Sequence, residues 1–305
     1  MTDSVATEAG IDRAGIGTAL QLDAFRLSLR PITAADNVRL HHMTVGVNWP
    51  HRLEDLDLII ASGKGVIGVD AIDRAVCTAM WFPMGRDFAT VGMMTTTPRL
   101  QAQGAGRWLL QTVMQQCEGR DLRLNATRAG YSMYLEAGFI PVCGIRQMQG
   151  RLLAVPALPE VPGLDLRPVG PGDLPQLERL DAAAFGAERG QALALLMAAS
   201  VGHIAMLHGR PAGFALRRSF GKGHLIGPLV AEDPAVAMHL VSALMRGAEG
   251  QFLRLDVPED REALIGFLSG AGLRLFDSVT EMRIGPHRRS SAGPVTFALA
   301  AHSLG

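Results

Sequence analysis

Lysine is nearly missing from this 305-residue chain: Lys64 and Lys222 are the only two among 29 basic residues, and the rest are arginine. Genomic base composition alone can impose such a bias. The 29 acidic residues bring the net charge to zero. A neutral chain exerts no general pull on a phosphate backbone, so nucleic acid is not an expected partner. Cysteine is scarce too. Cys77, Cys117 and Cys143 lie far apart with no CxxC spacing, which argues against a disulfide frame or a zinc site and fits reduced thiols in a reducing compartment. No apolar run approaches the roughly 20 residues that span a bilayer. Residues 1–18, with Asp3, Glu8 and Asp12, lack the cationic start and apolar run of a secretory signal. These absences point to a soluble cytoplasmic protein with no membrane partner. What is there is a globular composition, 48% hydrophobic and 19% charged, on a length that suits two ordinary domains.

The chain also repeats itself. Leu27-Ser-Leu-Arg-Pro-Ile-Thr-Ala-Ala-Asp36 returns as Leu164-Asp-Leu-Arg-Pro-Val-Gly-Pro-Gly-Asp173. Leu122-Arg-Leu-Asn-Ala-Thr127 returns as Leu253-Arg-Leu-Asp-Val-Pro258, and Tyr134-Leu-Glu-Ala-Gly-Phe139 as Phe267-Leu-Ser-Gly-Ala-Gly-Leu273. Three echoes in one order at similar spacing imply two copies of one fold. Between them, Val155-Pro-Ala-Leu-Pro-Glu-Val-Pro-Gly163 carries three prolines that forbid a helix or a central strand, so it reads as a stiff linker. The division expected is a disordered leader over 1–20, copies over 21–154 and 164–285 joined by the linker 155–163, and a tail over 286–305. Alternation of Val295, Phe297 and Leu299 with smaller residues suggests either a strand docking on one domain or a frayed terminus. The hydrophobic periods give each copy a strand, helices, three strands, a helix, a strand, a helix and two closing strands, an α/β layout.

One segment carries chemistry. A β-branched strand runs to Pro98, the turn Gln101-Ala-Gln-Gly-Ala-Gly106 follows, and an apolar-periodic helix begins at Arg107-Trp108. A glycine-rich turn opening a helix presents unpaired N–H groups and the positive end of the helix dipole, which is an anion site. Gly104 and Gly106 let a phosphate approach without a Cβ clash, and Arg107 adds charge. A Walker loop would need Gly-Lys-Ser/Thr, and a dinucleotide fingerprint would need glycine where Leu109 stands; both fail.

Gln101-x-x-Gly104-x-Gly106 resembles the Arg/Gln-x-x-Gly-x-Gly/Ala signature of the GNAT acetyltransferases. Downstream, Leu124-Asn-Ala-Thr-x-x-Gly-x-x-x-Tyr134-x-x-x-Gly138-Phe139 resembles the family's second motif. The resemblance implies two tandem GNAT-like domains, each a mixed, mostly antiparallel sheet flanked by helices. It implies acetyl-CoA as cosubstrate, no metal, and transfer of an acetyl group to a primary amine of a small molecule or peptide; a homodimer is compatible with it. Met94, Thr95 and Thr96 would pair through their backbone with the pantetheine arm. Gln101, Ala102, Gln103, Gly104, Ala105, Gly106 and Arg107 would hold the pyrophosphate, with Thr127 from the second motif nearby. Tyr134 would protonate the leaving thiolate, and Tyr131 would replace it only in a different register. Departures from the family pattern are Thr127, where many relatives have Asn, and Gln101, where Arg is commoner. A non-catalytic acetyl-CoA-sensing protein is the alternative; it would not need Tyr134.

No general base stands out among Asp87, His41, His42 and Glu136. The His41-His42 pair has no further ligand at metal spacing. The methionines read as gap-fillers, some of them able to line an acyl or substrate tunnel, and Trp49 and Trp81 as packing residues, with the acceptor site as the alternative. In the second copy Glu232-Asp-Pro-Ala-Val-Ala-Met238 replaces the glycine turn, and Phe267 or Leu268 replaces Tyr134. Two carboxylates there oppose a pyrophosphate, so that copy is expected to be degenerate and to help build the acceptor cleft or a subunit interface. Its Asp256 and Glu281 are candidates for touching an amine, against the plainer reading of a structural role.

Overall fold

The computed structural model describes residues 19–22, 25–98, 101 and 104–305. Its first half contains β1 (Ala19–Leu22), β2 (Phe25–Pro31), α1 (Asn37–Gly46), α2 (Leu53–Ser62), β3 (Lys64–Val69), β4 (Ala75–Met84) and β5 (Phe88–Thr96). Then come α3 (Ala105–Gln116), β6 (Asp121–Ala126), α4 (Tyr131–Glu136) and β7 (Ile140–Arg151). The second half repeats the order from β8 (Leu164–Pro168) through α5 (Leu174–Phe185), α6 (Gly190–Ala198), β9 (Val201–Leu207), β10 (Arg210–Phe220) and β11 (Gly223–Ala231). It ends with α7 (Pro234–Met245), β12 (Phe252–Pro258), α8 (Glu262–Gly270), β13 (Arg274–Ile284) and a last short strand, β14 (Val295–Ala298). The leader expected over 1–20 lies outside the described residues except for Ala19 and Leu20, which begin β1. No helix among the described residues is long and apolar enough to cross a membrane.

The first sequence echo is a repeated brace. Arg30 donates to both carboxylate oxygens of Asp36 at 2.8 and 2.6 Å, and Arg167 does the same to Asp173 at 2.8 and 2.7 Å. Each carboxylate also accepts a backbone N–H three residues upstream, from Thr33 and from Gly170. The pair locks the end of a strand to the start of a helix. Because both arginines are partly exposed, each brace contributes about 1 kcal/mol or less.

The strands form one sheet in the order β1-β2-β3-β4-β5-β6-β13-β7-β12-β11-β10-β9-β8, with β14 paired to β11. Only β5–β6 and β11–β12 are parallel; every other pair is antiparallel. The order is symmetric about the β13–β7 pair. The halves have exchanged their last long strands: β7 is flanked by β12 and β13 of the second half, and β13 by β6 and β7 of the first. Two closing strands per copy are expected from sequence; each copy has one, because β13 runs through its irregular register near Leu275 and Asp277 as a bulge rather than a break.

Three cores result. Leu109, Leu110 and Val113 of α3 cover the first half, and Val236, Leu240 and Val241 of α7 cover the second. The third lies between the halves, where Leu56 and Ile59 of α2 meet Leu193 and Leu196 of α6, together with Ala300, Ala301 and Leu304. A fully buried leucine contributes about 1.5–3 kcal/mol, so this shared core ties the tail to both halves.

That tail has a particular path. Beyond Leu225 and Arg254 the parallel strands β11 and β12 diverge, and β14 enters the gap, pairing Leu229 with Ala298 and Ala231 with Val295. The N–H of Leu299 donates to the Asp256 carbonyl on β12 at 2.9 Å. The tail then crosses to the first half. The Thr90 hydroxyl donates to the Ser303 carbonyl at 2.7 Å, and the Asn125 amide to the His302 carbonyl at 2.8 Å.

Gly92 makes this crossing possible, since a Cβ there would sit 2.8 Å from the Cα of Ser303 and closer still to its side chain. Gly92→Ala is therefore expected to lower stability by about 1–3 kcal/mol. Gly46→Ala, where a Cβ meets nothing, should change it by less than about 0.5 kcal/mol. Urea midpoints of the two variants check this; equal midpoints would mean that the tail does not bind against β5.

Candidate functional site

Strand β5 pairs with β6 from Phe88↔Asp121 to Val91↔Leu124, and then the two part. At that point β5 also carries a bulge. Thr78 faces Thr95 and Met80 faces Gly92, so Met93 and Met94 together oppose Ala79, and Met93 takes a φ of 52°. A left-handed non-glycine residue in a strand is strained and re-aims the backbone after it. Past the bulge, Met94, Thr95 and Thr96 border a cleft that no strand of the described residues fills. Here the two halves differ, since β14 occupies the equivalent gap in the second.

Helix α3 begins at the mouth of this cleft. Its N-cap, Gly104, has φ 90°, a conformation that favours glycine, and faces open space. The first N–H groups of the helix, at Ala105, Gly106 and Arg107, have no partner within it. Gly106 lets α3 approach α4, where an added Cβ would lie 3.2 Å from the Met133 sulfur. Gln101 folds back so that its amide donates to the Thr96 carbonyl at 3.3 Å. Ala102 and Gln103, expected in the same cradle, lie outside the described residues. The Arg107 guanidinium is paired with Glu136 on α4. In the second half the corresponding helix start is self-satisfied: the Asp233 carboxylate accepts from Val236 N at 2.9 Å, and Glu232 pairs with Arg210.

Tyr134 projects from α4 across the split. Its ring meets Phe139 edge-on at 5.7 Å, and its hydroxyl points at the Met94 sulfur at 3.5 Å. Burial raises the pKa of its phenol well above the usual tyrosine value, so the hydroxyl stays protonated and is a donor. Tyr131 packs against the first-half core and does not line the cavity.

From Tyr134, Met94 and Thr127 a cavity of ≈ 190 Å³ extends toward the second half. Trp49 and His51, on the connection between α1 and α2, form one wall, and Phe220 at the end of β10 another. Gln147, Arg254 and Asp256, from β7 and β12, line it with His302 and Ser303 of the tail. Asp256 is fully buried and held bidentately by Arg254, both contacts at 2.9 Å. The Arg254 charge and the neighbouring His302 outweigh desolvation and hold its carboxyl well below the usual carboxylate range.

The expected base candidates are elsewhere. Asp87 pairs with Arg288 at the far end of β5, and Glu136 is engaged with Arg107. His41 and His42 sit on α1 and do not line the cavity. Glu281 is buried against Arg123 and Arg289, while Trp81 packs in the first core. Trp49 and Asp256 do border the cavity. Sequence reasoning missed His51 and His302. The proximity of His51 to Trp49 was the available signal for the first; the second had none without the path of the tail. Among the described residues no cluster of His, Cys, Asp and Glu is placed to hold a metal ion.

Comparison with known proteins bears on this geometry. Residues 177–295 match the model of the acetyltransferase (GNAT) domain. An uncharacterized N-acetyltransferase of Bacillus subtilis, YitH, is 25% identical over 235 residues, 75% of this chain and 81% of its own. A putative acetyltransferase from Pyrococcus horikoshii superposes with a TM-score of 0.74 at 20% identity, covering 92% of this chain and 96% of that one. Residues 177–295 thus carry a GNAT acetyltransferase domain. A tandem GNAT protein from the clavulanic acid biosynthesis pathway also superposes, with TM-score 0.58 and 16% identity over 86% of this chain and 99% of its own. The GNAT domain match lies in the half whose cleft β14 fills.

His51 gives this region a pH signature. Burial pushes its imidazole down to about 4 from 6.5, outweighing the pull of Asp55. Between those values the unfolded chain binds a proton that the folded one does not, so this stability is present above pH 6.5 and is lost as pH falls toward 4. From pH 7 to 5 the loss is about 2 kcal/mol. His51→Phe, which keeps an aromatic ring, should remove that part of the decline. Urea titrations at the two pH values measure it; identical declines in both proteins would show that His51 is not buried as described.

Proposed function

We propose that this GNAT protein is an acetyl-CoA-dependent N-acetyltransferase with one active site, in the first half. The observation that carries this reading is the difference between the two splits. The cleft at β5–β6 is filled by no strand of the described residues, opens onto the start of α3 at Gly104, and has the Tyr134 hydroxyl across it. The cleft at β11–β12 is closed by β14, and its helix start is capped by Asp233.

The residues fit the cosubstrate. Gly104 and the α3 amides suit a pyrophosphate, and Met94, Thr95 and Thr96 offer strand edges to a pantetheine arm. Acetyl-CoA supplies the activated acyl group. The chain aligns the amine with it, keeps water out by burial, and offers the protonated Tyr134 hydroxyl to the departing sulfur. The acceptor is the amine-bearing end of a small molecule or peptide. A cavity of ≈ 190 Å³ is below the roughly 300–1,000 Å³ of drug-sized sites, so only that end is enclosed. The division into copies over 21–154 and 164–285, with the second degenerate, belongs to the same proposal.

Thiol release from acetyl-CoA in the presence of small amines is the direct test. Tyr134→Phe should lower kcat about 10²-fold while leaving the KM for acetyl-CoA within about twofold. Gly104→Glu should weaken acetyl-CoA binding at least tenfold, by putting charge and a side chain at a left-handed position in the cradle. Unchanged affinity would place the cofactor elsewhere. Binding without thiol release would make the chain an acetyl-CoA-responsive binding protein.

A further inference from the structure

An attacking amine arrives largely as an ammonium at neutral pH and must lose a proton. None of the acidic or histidine side chains singled out from sequence as its acceptor reaches the cavity. The tail brings another. His302 is held by its backbone to Asn125, beside the split of β5 and β6, while its ring lies against β12 of the second half. Its Nε2 is 3.4 Å from Asp256 Oδ1 and 3.3 Å from Arg254 Nη2. These two partners cover both states of the ring. Arg254 can only donate, so it satisfies a bare Nε2; Asp256 can only accept, so it satisfies a protonated one. The ring can gain or lose a proton without moving or leaving a buried polar atom unpaired, which is what proton transfer requires of a base.

The other charged groups around the cavity do not compete. His51, on the α1–α2 connection, is kept neutral by burial. Arg218 on β10 is tied to the Gly227 and Ala300 carbonyls at 3.1 and 2.7 Å. Asp277 on β13 and Lys222 on the β10–β11 turn stand at the cavity wall. Asp55 is held by Arg52 and does not line the cavity.

Resting on the acetyltransferase reading above, we propose that His302 is the catalytic base of the reaction and that Asp256 positions it. The ammonium gives one proton to the imidazole, which passes it to solvent. The nitrogen lone pair then forms the C–N bond to the acetyl carbon, and the C–S bond breaks with its electron pair on sulfur. Sulfur takes the Tyr134 proton, and the second proton lost by nitrogen restores the phenol. The net products are amide, free thiol and one proton. The active site is therefore composite: first-half strands hold the donor, and the tail, seated on second-half β12, supplies the base.

The test uses the full chain, acetyl-CoA, and four probe amines: phenethylamine, glucosamine, spermidine and lysine. With an amine that the wild type acetylates, His302→Gln should lower kcat/KM by about 10²–10³-fold and flatten the acid limb of the pH profile, with acetyl-CoA affinity within twofold. Imidazole added to His302→Ala should restore rate in proportion to its unprotonated fraction, which a purely structural loss would not allow. Asp256→Asn, which removes the acceptor for a protonated Nε2, should lower kcat while leaving the KM for acetyl-CoA within twofold. His41→Gln, on α1, should behave as wild type. A His302→Gln enzyme within threefold of wild type and with its acid limb intact overturns the inference and leaves the acetyltransferase reading standing. A wild-type chain that binds acetyl-CoA but acetylates none of the four overturns both.

Discussion

Two pairs of parallel strands begin in register and then separate, and the backbone groups they expose at the split must find other partners. A buried N–H or C=O without one costs about 1–3 kcal/mol. The second half meets this demand internally, because β14 pairs with β11 and Leu299 donates to Asp256 on β12. In the first half no described strand does so. On the proposed reading, the bulge at Met93 and the strand edge just after it are where an extended ligand arm would pair. The helix starts follow the same logic: Asp233 caps α7 with a carboxylate, while α3 begins at a bare glycine. The second half satisfies within its own chain what the first half, on the proposed reading, leaves to a ligand.

The exchange of β7 and β13 turns these two sites into one machine. Because each closing strand lies between strands of the other half, the halves cannot separate without breaking both ladders on either side. The cavity walls are thus fixed relative to Tyr134 although they come from distant parts of the chain. The tail adds a second tie, with the Thr90–Ser303 hydrogen bond closing a loop of 213 residues. The second half, with its own cleft filled by β14, still contributes to the cavity: β12 carries Arg254 and Asp256, and β10 carries Phe220.

Features written in contiguous residues were legible from the sequence. The repeated Arg–Asp brace, the glycine turn before α3, and the segment ending Tyr134 to Phe139 are short strings whose local geometry follows from their residue types. The fold class followed from them, whereas the tail's alternation left a docking strand and a frayed end both open, and β14 is in fact buried at every position. What could not be read was anything fixed by register between distant strands. A strand that pairs within its own copy and one that crosses to the other have the same alternation, so the exchange was invisible. The Met93 bulge depends on how β4 meets β5, and nothing in Gly92-Met-Met94 declares it. His302 looked like one more residue of a loose end, since its significance rests on where residues 299–303 dock.

The tail also explains why two glycines sit at matching points of β5 and β11. A Cβ at Gly92 would collide with Ser303, and one at Gly227 with the Leu299 carbonyl. The same few residues thus press against both strands as they turn away from their parallel partners, over the second-half split first and the first-half split next. Between the two contacts stands His302, held at its carbonyl by Asn125 and at its ring by Asp256, which are equivalent positions in the echoes Leu-Arg-Leu-Asn and Leu-Arg-Leu-Asp. An amide at one copy's position anchors the backbone by donating a hydrogen bond. A carboxylate at the other can only accept one, so it faces the ring nitrogen instead. A single difference between the two copies therefore places a titratable ring at the boundary between them, facing the cavity that opens onto Tyr134.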